Sequence, residues 1–107
     1  MLELIKVQGG GDHMKKAGII QVTDQFGLDS FYFAELHFDG KQLLIIDAKT
    51  RQQQTFPLSK IQTSLHACPN GLAFCTQQHT TITLLAQPLP LSDLFTALWQ
   101  ACLTVAH

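Results

Sequence analysis

The residues with the most chemical potential lie in His66-x-Cys68 and Cys75-x-x-x-His79. Imidazole nitrogens and thiolate sulfurs are the usual ligands of zinc. With Asn70-Gly71 as a two-residue turn, Ala67 faces Phe74 and His66 faces Cys75 across a hairpin. Side chains alternate along a strand, so His66, Cys68 and Cys75 then share one face, and a weak zinc alternative rests on these three. Ile61, Leu65, Leu72 and Phe74 fall on the other face, which is expected to be the core. His79 lies roughly 13 Å farther along at strand rise, too far for the same ion. The C-x-x-C knuckle of structural zinc sites is missing, so the expectation is no metal and no cofactor. A Cys68–Cys75 disulfide is disfavoured, because diagonal pairs sit at or beyond the ~7 Å Cα limit.

Nucleophilic catalysis has little to build on. The sequence holds no G-x-S-x-G elbow, no phosphate-binding glycine loop and no H-E-x-x-H. Cys75 and His66 could form a thiolate pair, but on an open sheet face with no pocket to exclude water. The expectation is a chain that is not an enzyme.

Aromatic residues offer a different chemistry. Phe26, Phe31, Tyr32, Phe33 and Phe38 form the densest group. Alternate members are expected in the core, and an exposed Phe26 or Tyr32 is an anchor for a partner peptide. Near the C-terminus Trp99 flanks an apolar stripe, and the outward residues Thr96, Ala97, Gln100, Ala101 and Thr104 carry no charge. Phe26, Tyr32, Trp99 and Gln100 are therefore the candidate partner-binding residues. A neutral solvated helix face is the alternative for the last two.

These residues need elements to position them. Ala17–Thr23 carries β-branched Ile19, Ile20 and Val22 and reads as a strand. Asp24–Ser30 reads as a loop, Phe31–Phe38 as a strand, and Asp39-Gly40 as a hairpin turn into Leu43–Ile46. A weak strand is expected at Gln54–Leu58 and another at Lys60–Ala67, with Ile61 and Leu65 on one face. Leu72–Thr76 and Thr80–Ala86 complete the set. Pro88 and Pro90 stop the sheet. Ser92 is placed to N-cap a helix, with Asp93 in its first turn. Leu91, Leu94, Phe95, Leu98, Cys102 and Val105 recur at helical spacing.

The N-terminus reads differently. Leu2–Val7 is a short, extended-looking apolar segment, and Gly9–Gly11 follow as a flexible joint. Asp12-His13-Met14 resembles a cloning junction. Residues 1–14 are expected to be a tag or a fused peptide with its glycine linker, and residues 15–107 the domain proper. A native first strand at Leu2–Val7 is the alternative. A tethered ligand would add as a strand to an exposed sheet edge, with Leu2, Leu4 or Ile5, and Val7 in shallow pockets.

Composition narrows the classes. With 107 residues the chain has room for one domain. Apolar residues make up 46%, which argues against wholesale disorder. Charged residues are only 14%, and seven Lys/Arg against eight Asp/Glu leave a net charge of −1. Broad capture of nucleic acid or of anionic membrane is not expected from such a balance. No apolar run is long enough to span a bilayer and no cleavable leader is visible. Three cysteines at irregular spacings do not form a disulfide framework, and reduced thiols in a cytoplasmic setting are expected.

About seven short antiparallel strands followed by a closing helix with Trp99 in Leu91–Ala106 resembles the pleckstrin-homology-like superfold. The resemblance covers roughly residues 15–107 and rests on element order and size, not on a binding motif. It implies an α+β fold: a bent sheet or barrel of antiparallel strands capped by one C-terminal amphipathic helix. Lipid-binding members carry a basic cluster at the first hairpin. The matching Asp24–Ser30 has two aspartates and no Lys or Arg. The resemblance thus implies a non-catalytic protein- or peptide-binding domain of a larger protein. Phosphoinositide or membrane targeting is one alternative. Self-association in the manner of divergent polo-box modules, giving a homo-oligomer, is another.

Overall fold

The computed structural model describes residues 13–105. The segment Leu2–Val7 and its glycine joint lie outside the described residues, and so do the side chains of Thr104 and Val105. The elements are β1 (Met14–Thr23), β2 (Asp29–Phe38), β3 (Gln42–Asp47), β4 (Gln53–Pro57), α1 (Leu58–Ile61), β5 (His66–Cys68), β6 (Gly71–Cys75), β7 (Thr81–Leu85) and α2 (Ser92–Val105). The strands form one antiparallel seven-stranded sheet in the order β4-β3-β2-β1-β7-β6-β5. The sheet curls into a half-barrel and α2 caps it. This is the expected α+β class, and the arrangement is consistent with a pleckstrin-homology-like fold.

Local chemistry explains the turns. Asp24 Oδ1 accepts the backbone N–H groups of Phe26 and Leu28 at 2.9 and 3.0 Å, and Gly27 takes φ +82°. A short polar side chain thus replaces missing ladder partners, and glycine supplies the left-handed step. Asp39 does the same for Lys41 and Gln42 between β2 and β3, and Asp47 for Lys49 and Thr50 between β3 and β4.

The core lies on the concave face. Ile20, Leu36, Leu43, Ile45, Leu72, Phe74 and Leu84 from the sheet meet Leu91, Leu94 and Leu98 from α2, all fully buried. Each such side chain contributes about 1.5–3 kcal/mol relative to exposure. Cys102 continues the stripe, and Phe95 packs partly against it. The helix begins at its expected cap residue, one position earlier than a Ser92 cap implies. Phe95 N–H already donates to the Leu91 carbonyl at 2.9 Å, so Leu91 stands at the cap position and Ser92 is the first helical residue.

Two expectations are corrected. Lys60–Ala67 is not a strand: Leu58–Ile61 is helical after Pro57, and only His66–Cys68 pairs with β6. Leu58 and Ile61, three apart, both enter the core, and Leu65 follows at helical spacing. The β5–β6 turn is Pro69-Asn70, not Asn70-Gly71, because Gly71 already pairs with Cys68 and Leu85. Gly71 is a strand glycine. A Cβ there would collide with the Leu84 carbonyl oxygen, so its role is close backbone approach.

Candidate functional site

The corrected register disperses the histidine–cysteine group. His66 stands opposite Ala73, Cys68 opposite Gly71, and Cys75 lies beyond the end of β5. Ser64 takes the place facing Cys75: its hydroxyl accepts the Cys75 N–H at 2.8 Å. His66 Nδ1 lies 2.7 Å from the Ser64 carbonyl oxygen. Cys75 is exposed, with Sγ 3.8 Å from the Thr81 hydroxyl. Among the described residues no group of three His, Cys, Asp or Glu side chains is placed to hold a metal ion. No helix among them is long and apolar enough to cross a membrane.

A different surface is prominent. On β1 and β2, even-numbered residues face the core and odd-numbered ones the convex side of the sheet. Phe31 and Phe33 are odd, and they are 59% and 63% exposed. Phe33 stands opposite Ile19 and Phe31 opposite Gln21. The β1–β2 turn adds Phe26 at 78% and Leu28 at 68% exposure. Asp24 holds that turn by the hydrogen bonds described above, and Thr23 Oγ1 donates to Asp29 Oδ1 at 2.6 Å across its base. Four large apolar side chains therefore project from a pinned hairpin. Beside Phe33, a shallow depression of about 430 Å³ runs over Ala17, Gly18, Ala34 and Ala48. Lys15, Lys16, Glu35 and Arg51 also line it, so the depression is charged as well as apolar.

The two ends of the patch differ in charge. Asp24 and Asp29 border the turn end. At the other end Glu35 receives Lys15 at 2.9 Å, Arg51 at 3.4 Å and His37 at 3.3 Å. The Lys15 hydrogen bond holds the Glu35 carboxyl below its ordinary value, against a smaller burial effect, with lesser help from the Lys15 charge and from His37.

The four expected anchors do not form one cluster. Phe26 lies exposed in the β1–β2 turn, on the same hairpin as Phe31 and Phe33. Tyr32 is half-buried on the concave side, packed against the core near the open end of the half-barrel. Burial first, and then the Asp47 charge, raise its phenol above the ordinary value. Around it Val22, Ile45, Phe56 and Ile82 floor a recess of about 590 Å³, with Gln52, Gln53, Gln54 and Gln78 at its rim. Trp99, 39% exposed, and its exposed neighbour Gln100 lie on α2. Phe31 and Phe33 were not singled out as anchors by the sequence. The signal that finds them is the phase of the strand: Ala34, Leu36 and Phe38 fix the even positions as core, which turns Phe31 and Phe33 outward.

No protein-family model and no curated protein matches the chain. The functional reading therefore rests on this surface chemistry.

Proposed function

We propose that this chain is a non-catalytic protein-interaction domain of pleckstrin-homology-like architecture, docking a partner protein through Phe26, Leu28, Phe31 and Phe33. The observation that carries the proposal is the exposure of those four side chains, from 59% to 78%, on one pinned hairpin. Large apolar groups exposed together on one hairpin cost solubility and mark contact surfaces. Aromatic anchors supply large contact area with few rotors to immobilise. Asp24 and Asp29 at the tip favour a partner segment that carries Lys or Arg beside its apolar residues, because complementary charge steers encounter.

Membrane targeting fits less well. The tip is acidic, and Lys15, Lys16 and Arg51 are already paired with Glu35, Asp93 and Glu35. A lipid headgroup would have to compete for them.

The test is a Phe31→Ser/Phe33→Ser double variant with unchanged melting temperature. Retention of binding proteins should fall at least about tenfold, corresponding to roughly 1.4 kcal/mol or more. Unchanged retention contradicts the proposal. So does vesicle binding lost with the same two residues, which would make the patch a membrane anchor. Light scattering that shows a dimer abolished by the double variant would assign the patch to self-association instead.

A further inference from the structure

A pair of histidines meets where β1 begins and β2 ends. His37 lies near the end of β2 on the convex side of the sheet, and His13 immediately precedes β1. Met14 pairs with Phe38 and packs against the core, so His13 stands at the start of an anchored strand. His13 Nε2 lies 3.2 Å from His37 Nδ1, with the rings edge to face and their centroids 5.4 Å apart. On the far side of its ring, His37 Nε2 lies 3.3 Å from Glu35 Oε2. Asp39 is the next acidic neighbour. Burial pushes its carboxyl up, but the N–H groups of Lys41, Gln42 and Asp39 itself outweigh this and hold it below its ordinary value, with help from the His13 charge.

The Glu35 contact sets the chemistry of the pair. A carboxylate only accepts, so in the neutral ring of His37 the proton sits on Nε2. Nδ1 is left with a lone pair that faces His13. A carboxylate on the outer nitrogen is the usual support of a metal-ligating histidine, because it fixes the tautomer and makes the inner nitrogen a better donor. The spacing agrees. Two nitrogens at about 2.0–2.1 Å from one tetrahedral zinc ion lie roughly 3.3 Å apart. The two facing nitrogens are separated by 3.2 Å. Without a metal, His13 Nε2–H donates to His37 Nδ1. An ion replaces that shared proton: His13 takes its Nδ1–H tautomer, and both facing nitrogens give lone pairs to the ion. His13 is exposed, so its ring has room to turn toward a common point.

We propose that His13 Nε2 and His37 Nδ1 are the protein ligands of an exchangeable site for a divalent transition metal of the zinc class, with Glu35 as its positioning carboxylate. Among the described residues no third side chain joins them as a ligand. The site is therefore open, unlike a closed four-ligand structural site, and water fills the remaining positions. Imidazole suits zinc, copper and nickel, whereas magnesium and calcium take oxygen ligands. This pair is separate from His66, Cys68 and Cys75, and the assignment does not rest on the docking role of the aromatic hairpin.

Zinc chloride titrated into the full chain at neutral pH, followed by calorimetry and by the imidazole nitrogen resonances, tests it. His13 Nε2 and His37 Nδ1 should shift saturably, while His37 Nε2 keeps its proton. Magnesium chloride should move neither. His13→Gln and His37→Gln should each weaken this binding at least about tenfold. Glu35→Ala should weaken it about tenfold and move His37 toward its Nδ1–H tautomer, a change that loss of surface charge alone does not produce. Absence of a saturable shift at either histidine overturns the assignment. So does zinc uptake that survives the His13→Gln/His37→Gln double variant unchanged, because the ion would then lie elsewhere. Unchanged affinity and tautomer in Glu35→Ala overturn the positioning role. Melting temperatures report whether each variant is folded, and the atom-resolved shifts in the parent chain decide even where one is not. None of these outcomes depends on Phe31 or Phe33, so the docking proposal stands or falls separately.

Discussion

Phe56 on β4 and Phe74 on β6 meet edge to face, with ring centroids 5.2 Å apart and planes at 68°. The two residues sit near opposite ends of the curled sheet and join across the gap between them. Phe74 is fully buried and Phe56 half-buried. Phe74→Ala should cost about 3–5 kcal/mol. Phe56→Ala should cost less. A double-mutant cycle by denaturant unfolding should return a coupling of about 0.5–1.5 kcal/mol. Additive costs would mean that the ring contact does not hold the ends together.

The capping helix gives a second prediction. Leu98 is fully buried between α2 and the sheet. Leu98→Ala should lose about 2–5 kcal/mol. Leu98→Asp, which places an unpaired charge in the core, should unfold the domain. A thermal melt that does not move would contradict the packing of α2.

Two glycines should behave differently. Gly71→Ala drives a Cβ into the Leu84 backbone carbonyl, which cannot yield without breaking the β6–β7 ladder. A loss of at least about 2 kcal/mol is expected, several degrees in melting temperature. A Cβ at Gly18 meets only the side-chain ends of Leu91 and Leu36, at 3.0 and 3.1 Å. Gly18→Ala should therefore be the milder change. Equal melting shifts would refute the distinction.

These elements show what the sequence makes legible. The periodicity of Leu91, Leu94 and Leu98 and the turn residues at Asp24, Asp39 and Asp47 locate α2 and the first three turns. Ile61 and Leu65 are separated by four, a spacing that satisfies both strand alternation and a helical face. Pairwise periodicity could not choose between them, and the packing of Leu58 against the core decides for helix. Asn70-Gly71 reads as a turn by composition, but Gly71 answers to a neighbour distant in sequence, the Leu84 carbonyl. The aromatic cluster was visible as a cluster. Which rings point outward depended on the strand phase set by Ala34, Leu36 and Phe38.

The acid limb of stability should depend on Glu35. Its folded-state carboxyl lies below the ordinary value, first through the Lys15 hydrogen bond. Stabilisation from a depressed carboxyl is present above the unfolded value and lost as pH falls through the folded one. Glu35→Gln should lower the melting temperature slightly at neutral pH, and the gap should close below the carboxylate range. Lys15 and Arg51 are largely exposed, so the effect is small and should shrink further in salt. A gap that persists unchanged in acid would assign the effect to packing rather than charge.

The central claim is that the exposed apolar side chains of the β1–β2 hairpin dock a partner protein. Quantitative affinity capture with the full chain, side by side with the Phe31→Ser/Phe33→Ser variant at matched melting temperature, tests it most directly. The account predicts a defined set of binding proteins whose retention drops at least about tenfold in the variant. Equal retention by the two proteins would contradict it.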